Sequence, residues 1–296
     1  MQQIKTSLST WGIDHVRVPV DYNLVETEAG EYLEEGFAYL QRTLDWCSKY
    51  GLNMILDLHK TMGYSFSQNG ESVFFTDERL QERFYALWEQ FAERFGGCQD
   101  RIAFELLNEV TLPSYCAAWN RIADNCIRRI RNIAPNVKIL VVGHGNNSVS
   151  AVKDISLSDY DNIVLNFHCY EPFIFTHQAA GWLPEFPRDF RVGFPEKCEV
   201  YAEHMAKYFP IAQEGFCEMT KGSEIAGPDY FERLFAEAVH VAEEKQVPLY
   251  CGEYGVIENA DAKSALKWYQ AIHPVFVRNG IGRSAWTYKQ MSFGFE

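Results

Sequence analysis

Pro248-Leu249-Tyr250-Cys251-Gly252-Glu253-Tyr254-Gly255 is the stretch whose reading decides the fold. Leu249, Tyr250 and Cys251 form a short apolar run with the length and character of a buried parallel strand. Gly252 allows close backbone approach, and Glu253 follows where the strand should end. A carboxylate at the mouth of a buried strand is costly unless it is hydrogen-bonded or in use. Taken alone, Glu253 reads equally as a salt-bridged strand end or as a catalytic group. What decides is whether other strands bring matching groups to the same rim.

Outward from this stretch the chain repeats one pattern. Strands are predicted at His15–Val20, Asn53–His59, Ile102–Glu109, Lys138–Gly143, Asn162–Tyr170, Leu249–Glu253 and Gly282–Tyr288. Helices are predicted at Gln2–Trp11, Tyr32–Tyr50, Asp77–Phe95, Ser114–Ile133, Asp229–Lys245 and Asp261–Arg278, with Pro274 a kink or an end in the last. In Tyr32–Tyr50, for instance, Leu33, Phe37, Leu40, Leu44 and Cys47 recur at helical spacing and Gly51 stops the run. The segment Glu171–Pro228, rich in Pro and aromatics, reads as the one irregular region. Alternating strands and helices imply a parallel α/β fold of the (β/α)8 TIM-barrel type, with seven strands in a single domain spanning 1–296. Neither G-x-G-x-x-G nor G-x-x-x-x-G-K-[ST] occurs, so a nucleotide-binding fold has no support.

With 296 residues, 47% of them hydrophobic, the chain can bury a large core. Its net charge of -13 argues against nucleic acid and against an anionic membrane surface as partners. An aromatic share of 15% suits a filled core or a sugar-stacking cleft. The eight cysteines contain no C-x-x-C and several fall inside predicted elements, which reads as reduced thiols in a cytoplasmic protein. No signal peptide or membrane span is visible, with the reservation that the N-terminus reads as incomplete.

In a (β/α) barrel the reactive groups sit at the C-terminal ends of the strands. Those ends here carry Arg17, His59, Asn108 and Glu109, His168 and Tyr170, Glu253, and Trp286. Each alone has a structural reading; six strands converging on one rim with such a set point to chemistry. The chemistry they suit is glycoside hydrolysis, in which two carboxylates flank the scissile bond. Glu109 and Glu253 are expected roughly 5–5.5 Å apart, as a retaining enzyme requires. Arg17 would keep a nearby carboxylate ionised, Tyr170 would hydrogen-bond the nucleophile, and Asn108 would hold the sugar 2-hydroxyl. Trp286 offers a flat face to a pyranose, and His59 and His168 orient hydroxyls or carboxylates. Asp57 and Glu105, inside their strands, read as structural. The histidines show no H-E-x-x-H or i, i+4 pairing, so no metal is expected, and no cofactor is needed.

These residues resemble glycoside hydrolase family 5. The matching segments, in family order, are His15–Pro19, Leu56–His59, Leu107–Glu109, Phe167–Tyr170, Gly252–Gly255 and Ala285–Lys289. The resemblance implies Glu109 as acid/base and Glu253 as nucleophile, with Arg17, His59, Asn108, His168, Tyr170 and Trp286 in support. Glu171–Gln178 resembles a segment of bacterial endoglucanase-like and exo-glucanase-like members, which favours β-1,4-linked or mixed-linkage β-glucan oligosaccharides or polysaccharides as substrate. The aromatic stretch that follows, with Trp182, would wall the cleft. β-Glucosidase, exo-1,3-glucanase and β-mannanase activities on the same scaffold, and an inactive sugar-binding barrel, are the alternatives. Lys60 departs from the family pattern. Relative to the family, the first strand and last helix are missing, so the expectation is either a homo-oligomer covering the gap or a marginally stable protein.

Overall fold

The computed structural model describes residues 12–67, 70–212, 215, 221–288 and 291–294. The helix expected at Gln2–Trp11 lies outside the described residues, as do Cys217 and Lys289. Two compact units divide the chain, Met1–Asn166 and Phe167–Glu296.

The first unit contains β1 (His15–Asp21), β2 (Asn53–Lys60), β3 (Ile102–Glu105), β4 (Lys138–Val142) and the start of β5 (Ile163–Cys169). They lie in sequential order and every pairing is parallel. Residues 54–59 of β2 are all buried, the near-continuous burial of a strand covered on both faces. Helices α1 (Glu34–Tyr50), α2 (Glu78–Phe95) and α3 (Cys116–Ile133) supply the outer cover. Each buries one stripe: Phe37, Leu40 and Leu44; Phe84, Trp88 and Phe91; Trp119, Ile122 and Ile130. The two buried indoles satisfy their N–H groups on the strand ends, Trp88 Nε1 donating to Leu106 O at 3.1 Å and Trp119 Nε1 to Val142 O at 2.8 Å.

The second unit holds the rest of β5, then β6 (Leu249–Tyr254) and β7 (Gly282–Arg283), again in sequential order. The longer helices among its described residues are α4 (Cys198–Tyr208), α5 (Pro228–Lys245) and α6 (Ala262–Arg278). Helix α4 falls where the sequence reads as irregular. Its buried stripe is only Cys198, Tyr201 and Met205, too narrow to stand out beside the surrounding prolines and aromatics. Helix α6 runs through Pro274 to Arg278. Packing of Trp268, Ile272, Val275 and Phe276 on both sides of the proline outweighs the lost backbone bond. Strand β7 is shorter than expected. Ser284 and Trp286 still donate to Cys251 O and Tyr254 O, but Thr287 then turns onto Phe293 O at 3.2 Å.

Gly36 sits inside α1 against the preceding loop, and a Cβ there would lie 1.9 Å from the carbonyl oxygen of Leu24. At an ordinary helix interior Gly→Ala stabilises by about 1 kcal/mol. Here the backbone clash reverses the sign: Gly36→Ala is expected to destabilise by about 1–3 kcal/mol. Urea unfolding of the variant beside the parent checks this, and an unchanged or higher midpoint would refute it.

Candidate functional site

In the first unit the site grows from one buried cation. Arg17 lies on β1, and the register aligns Pro19 with Asp57 and Asp57 with Glu105, so these side chains share a face of the sheet. Arg17 Nε donates to Glu105 Oε2 at 2.7 Å and Nη2 to Glu105 Oε1 at 2.8 Å. Nη2 also reaches Asn108 Oδ1 at 2.7 Å and Asp57 Oδ2 at 2.9 Å. Asp57 and Glu105 are completely buried and the Arg17 side chain is nearly so. Asp57 in turn accepts from His59 Nδ1 at 2.6 Å, and Asn166 Nδ2 donates to Glu105 at 2.9 Å. The structural reading of Asp57 and Glu105 therefore holds. Arg17 contacts these two acids and Asn108, and its charge favours the ionised form of Glu109.

Glu109 stands just beyond β3. Its backbone carbonyl accepts from Tyr64 Oη at 2.6 Å, and its Oε2 accepts from Asn146 Nδ2 at 3.2 Å. Burial pushes its carboxyl up to about 7, against the opposing Asn146 hydrogen bond and the charges of His59 and Arg17. A carboxyl that keeps its proton near neutral pH can donate it. Asn146 is absent from the sequence reading. Gly145-Asn146-Asn147 carries an ordinary turn signal and nothing that distinguishes it as functional.

In the second unit β6 runs one residue past the expected end, so Glu253 is its penultimate residue; it is buried. Tyr170 Oη donates to its Oε2 at 2.9 Å, and His168 Nδ1 lies 3.7 Å from the same oxygen. One oxygen of Glu253 is thus bonded by Tyr170, the residue after β5, with His168 of β5 close by. Gly255 lets the chain after β7 approach, since a Cβ there would meet the Trp286 carbonyl at 2.5 Å. Trp286 and Tyr170 pack beside Ala180, Ile257 and Phe293. Trp182 is grouped with His177 and Phe293, ring centres 6.4 and 6.2 Å away, and is 53% exposed. His177 stacks on Phe173 at 4.4 Å and meets Tyr170 edge-on at 5.1 Å. Burial holds it down to about 3, so it is a neutral member of an aromatic wall. Phe293, which joins Tyr170, Trp182 and Trp286, was not legible as a site residue because it lies far along the chain in a loop with φ 70°.

Seven cysteines among the described residues are free thiols, five of them buried. No helix of the described residues is long and apolar enough to cross a membrane.

The family model for cellulase (glycosyl hydrolase family 5) matches residues 1–292. Cellodextrinase A of Ruminococcus flavefaciens is 43% identical over 277 residues, covering 93% of this chain and 74% of that protein. Endoglucanase C of Acetivibrio thermocellus is 36% identical over 288 residues, covering 95% of this chain and 82% of that protein. Among solved structures, the clostridial cellulose synthase subunit Z from Clostridioides difficile superposes with a TM-score of 0.78 at 22% identity, over 99% of this chain and 86% of that one. A hyperthermophilic endo-beta-1,4-glucanase gives 0.76 at 22% identity, over 99% and 83%. These structural likenesses establish the fold, an α/β barrel type.

Removing the Arg17 charge would leave Asp57 and Glu105 as buried, uncompensated anions. Arg17→Met is expected to cost about 3–5 kcal/mol of stability. Chemical denaturation measures it; a loss below about 1 kcal/mol would mean that the two acids do not depend on the guanidinium.

Proposed function

The chain belongs to glycosyl hydrolase family 5, and on that premise we propose that it cleaves β-1,4-linked or mixed-linkage β-glucans by a retaining, two-glutamate mechanism. The names of its relatives, a cellodextrinase and an endoglucanase, support a glucan built of β-linked glucose over a mannan. One observation carries the mechanistic reading: the two glutamates have opposite surroundings. Glu109 is driven by burial to hold a proton, whereas Glu253 accepts a hydrogen bond from Tyr170. Divergent environments assign divergent roles to a pair of carboxyls.

In this reading Glu109 protonates the glycosidic oxygen as Glu253 attacks the anomeric carbon from the opposite side. The C–O bond to the leaving sugar breaks as the bond to Glu253 forms, and a glycosyl ester remains. Glu109, now a carboxylate, takes a proton from water, which displaces Glu253 and returns the anomeric configuration to its starting state. Tyr170 and His168 hold the Glu253 oxygen on its trajectory. Asn108 is fixed at its Oδ1 by Arg17, which leaves its amide N–H groups for the sugar 2-hydroxyl. Trp286 and the exposed Trp182 offer apolar faces to pyranose rings.

Reducing-sugar release from soluble mixed-linkage β-glucan tests this. The parent should turn over and Glu253→Ala should lose at least about 10³-fold, with the first product formed as the β-anomer by NMR. Tight oligosaccharide binding without turnover by the folded parent would favour an inactive binding barrel, and an α-anomer as first product would exclude retention. The sign of the pH dependence follows from Glu109. Its proton is needed for the first step and is lost as pH rises through about 7, so kcat/KM should fall above that pH. A rate flat from pH 4 to 9 would remove Glu109 as acid. Trp182→Ala should raise KM for longer glucans severalfold with kcat little changed, the pattern of lost uniform binding.

A further inference from the structure

The turn after β4, which carries Asn146, has an unusual backbone. Gly145, Asn146 and Asn147 take φ values of 62°, 58° and 55° in succession, three left-handed residues in a row. For residues other than glycine this conformation is costly and persists only where the surroundings over-determine it. They do so here. Asn146 N donates to Val110 O at 3.0 Å, tying the turn to the residue that follows Glu109. The completely buried Asn147 accepts at its Oδ1 from Gly143 N at 3.0 Å, pinning the other side. The exposed product of this arrangement is the side chain of Asn146, whose Nδ2 stands 3.2 Å from Glu109 Oε2.

We propose that Asn146 is a positioning residue for Glu109: its amide engages Oε2, so that the acidic proton resides on Oε1 and faces the glycosidic oxygen. The inference rests on the reading of Glu109 as acid/base. A carboxyl has two oxygens, and an uncontrolled proton spends time on either. An oxygen accepting an N–H bond keeps its lone pairs, which directs the proton to its twin. The other charged and titratable groups facing Glu109 within the first unit are His59 and Asp57 of β2, Arg17 of β1 and Tyr64 of the following loop. Arg17, Asp57 and His59 are tied to one another on the strands, whereas the Asn146 amide reaches this carboxyl from the turn after β4. Because the amide also favours the ionised form, it tempers the effect of burial.

Asn146→Gly is the informative variant, since glycine keeps the left-handed backbone and removes only the amide. Its thermal midpoint should match the parent's. The alkaline limb of kcat/KM should move upward by about half a pH unit or more, the size expected for one lost hydrogen bond to a charged group. Turnover of unactivated glucan should fall about 10-fold, while an aryl cellobioside with a strongly acidic phenol leaving group, which needs no acid in the first step, should keep its glycosylation rate. Asn146→Asp should move the limb further upward through like-charge repulsion. An unmoved limb, an equal loss on both substrates, or a change confined to KM would each overturn the proposal. A Glu109→Gln variant that retains full activity with the parent's pH profile would instead overturn the acid/base assignment itself.

Discussion

The buried guanidinium of Arg17 is the constraint on which the polar cluster of the first unit depends. Two carboxylates, Asp57 and Glu105, are withdrawn completely from water on neighbouring strands, which is unfavourable by several kcal/mol per charge without a partner. One planar fork answers both, bidentate to Glu105 and single to Asp57. The same fork reaches Asn108, and Asp57 passes the constraint on to His59. Asn108 and His59 are therefore oriented by groups buried behind them. The parallel register makes this possible, because it sets Asp57 and Glu105 side by side on one face two residues beyond the level of Arg17.

Burial acts with different results on the titratable groups of the two units. In the first it pushes Glu109 toward neutrality and makes a donor of a carboxyl. In the second it strips His177 of its charge, so that an imidazole serves as one more flat ring among Phe173, Tyr170 and Phe293. Desolvation disfavours the charged form in both cases; only the sign of the charge differs. Glu253, also buried, accepts a hydrogen bond from Tyr170 with His168 close by.

Much of this was legible in the chain itself. Apolar runs of strand length ending in His, Asn-Glu, His-x-Tyr and Gly-Glu announced the parallel fold, because a buried strand tolerates a polar end only where it is used or bonded; Arg17, read as a strand end, lies instead in the middle of β1. Asp57 and Glu105 could be read as structural from their positions inside strands. Asn146 and Phe293 could not be found this way. Their importance comes from backbone conformation, and a left-handed asparagine or a looped-back phenylalanine looks like any other loop residue in one dimension. Helix α4 escaped for a related reason, its short stripe being hidden among prolines whose local signal is the opposite of helix.

The sequence by itself determined the order of strands and helices, the parallel class and the identity of the groups at the strand ends, since periodicity and the cost of burying charge are properties of local composition. Tertiary structure alone decided which carboxylates Arg17 would bind, which oxygen of Glu109 would meet an amide, and which rings would gather beside Tyr170. Those outcomes depend on register, turn geometry and desolvation. Each is set by contacts between residues tens of positions apart, and no local pattern encodes them.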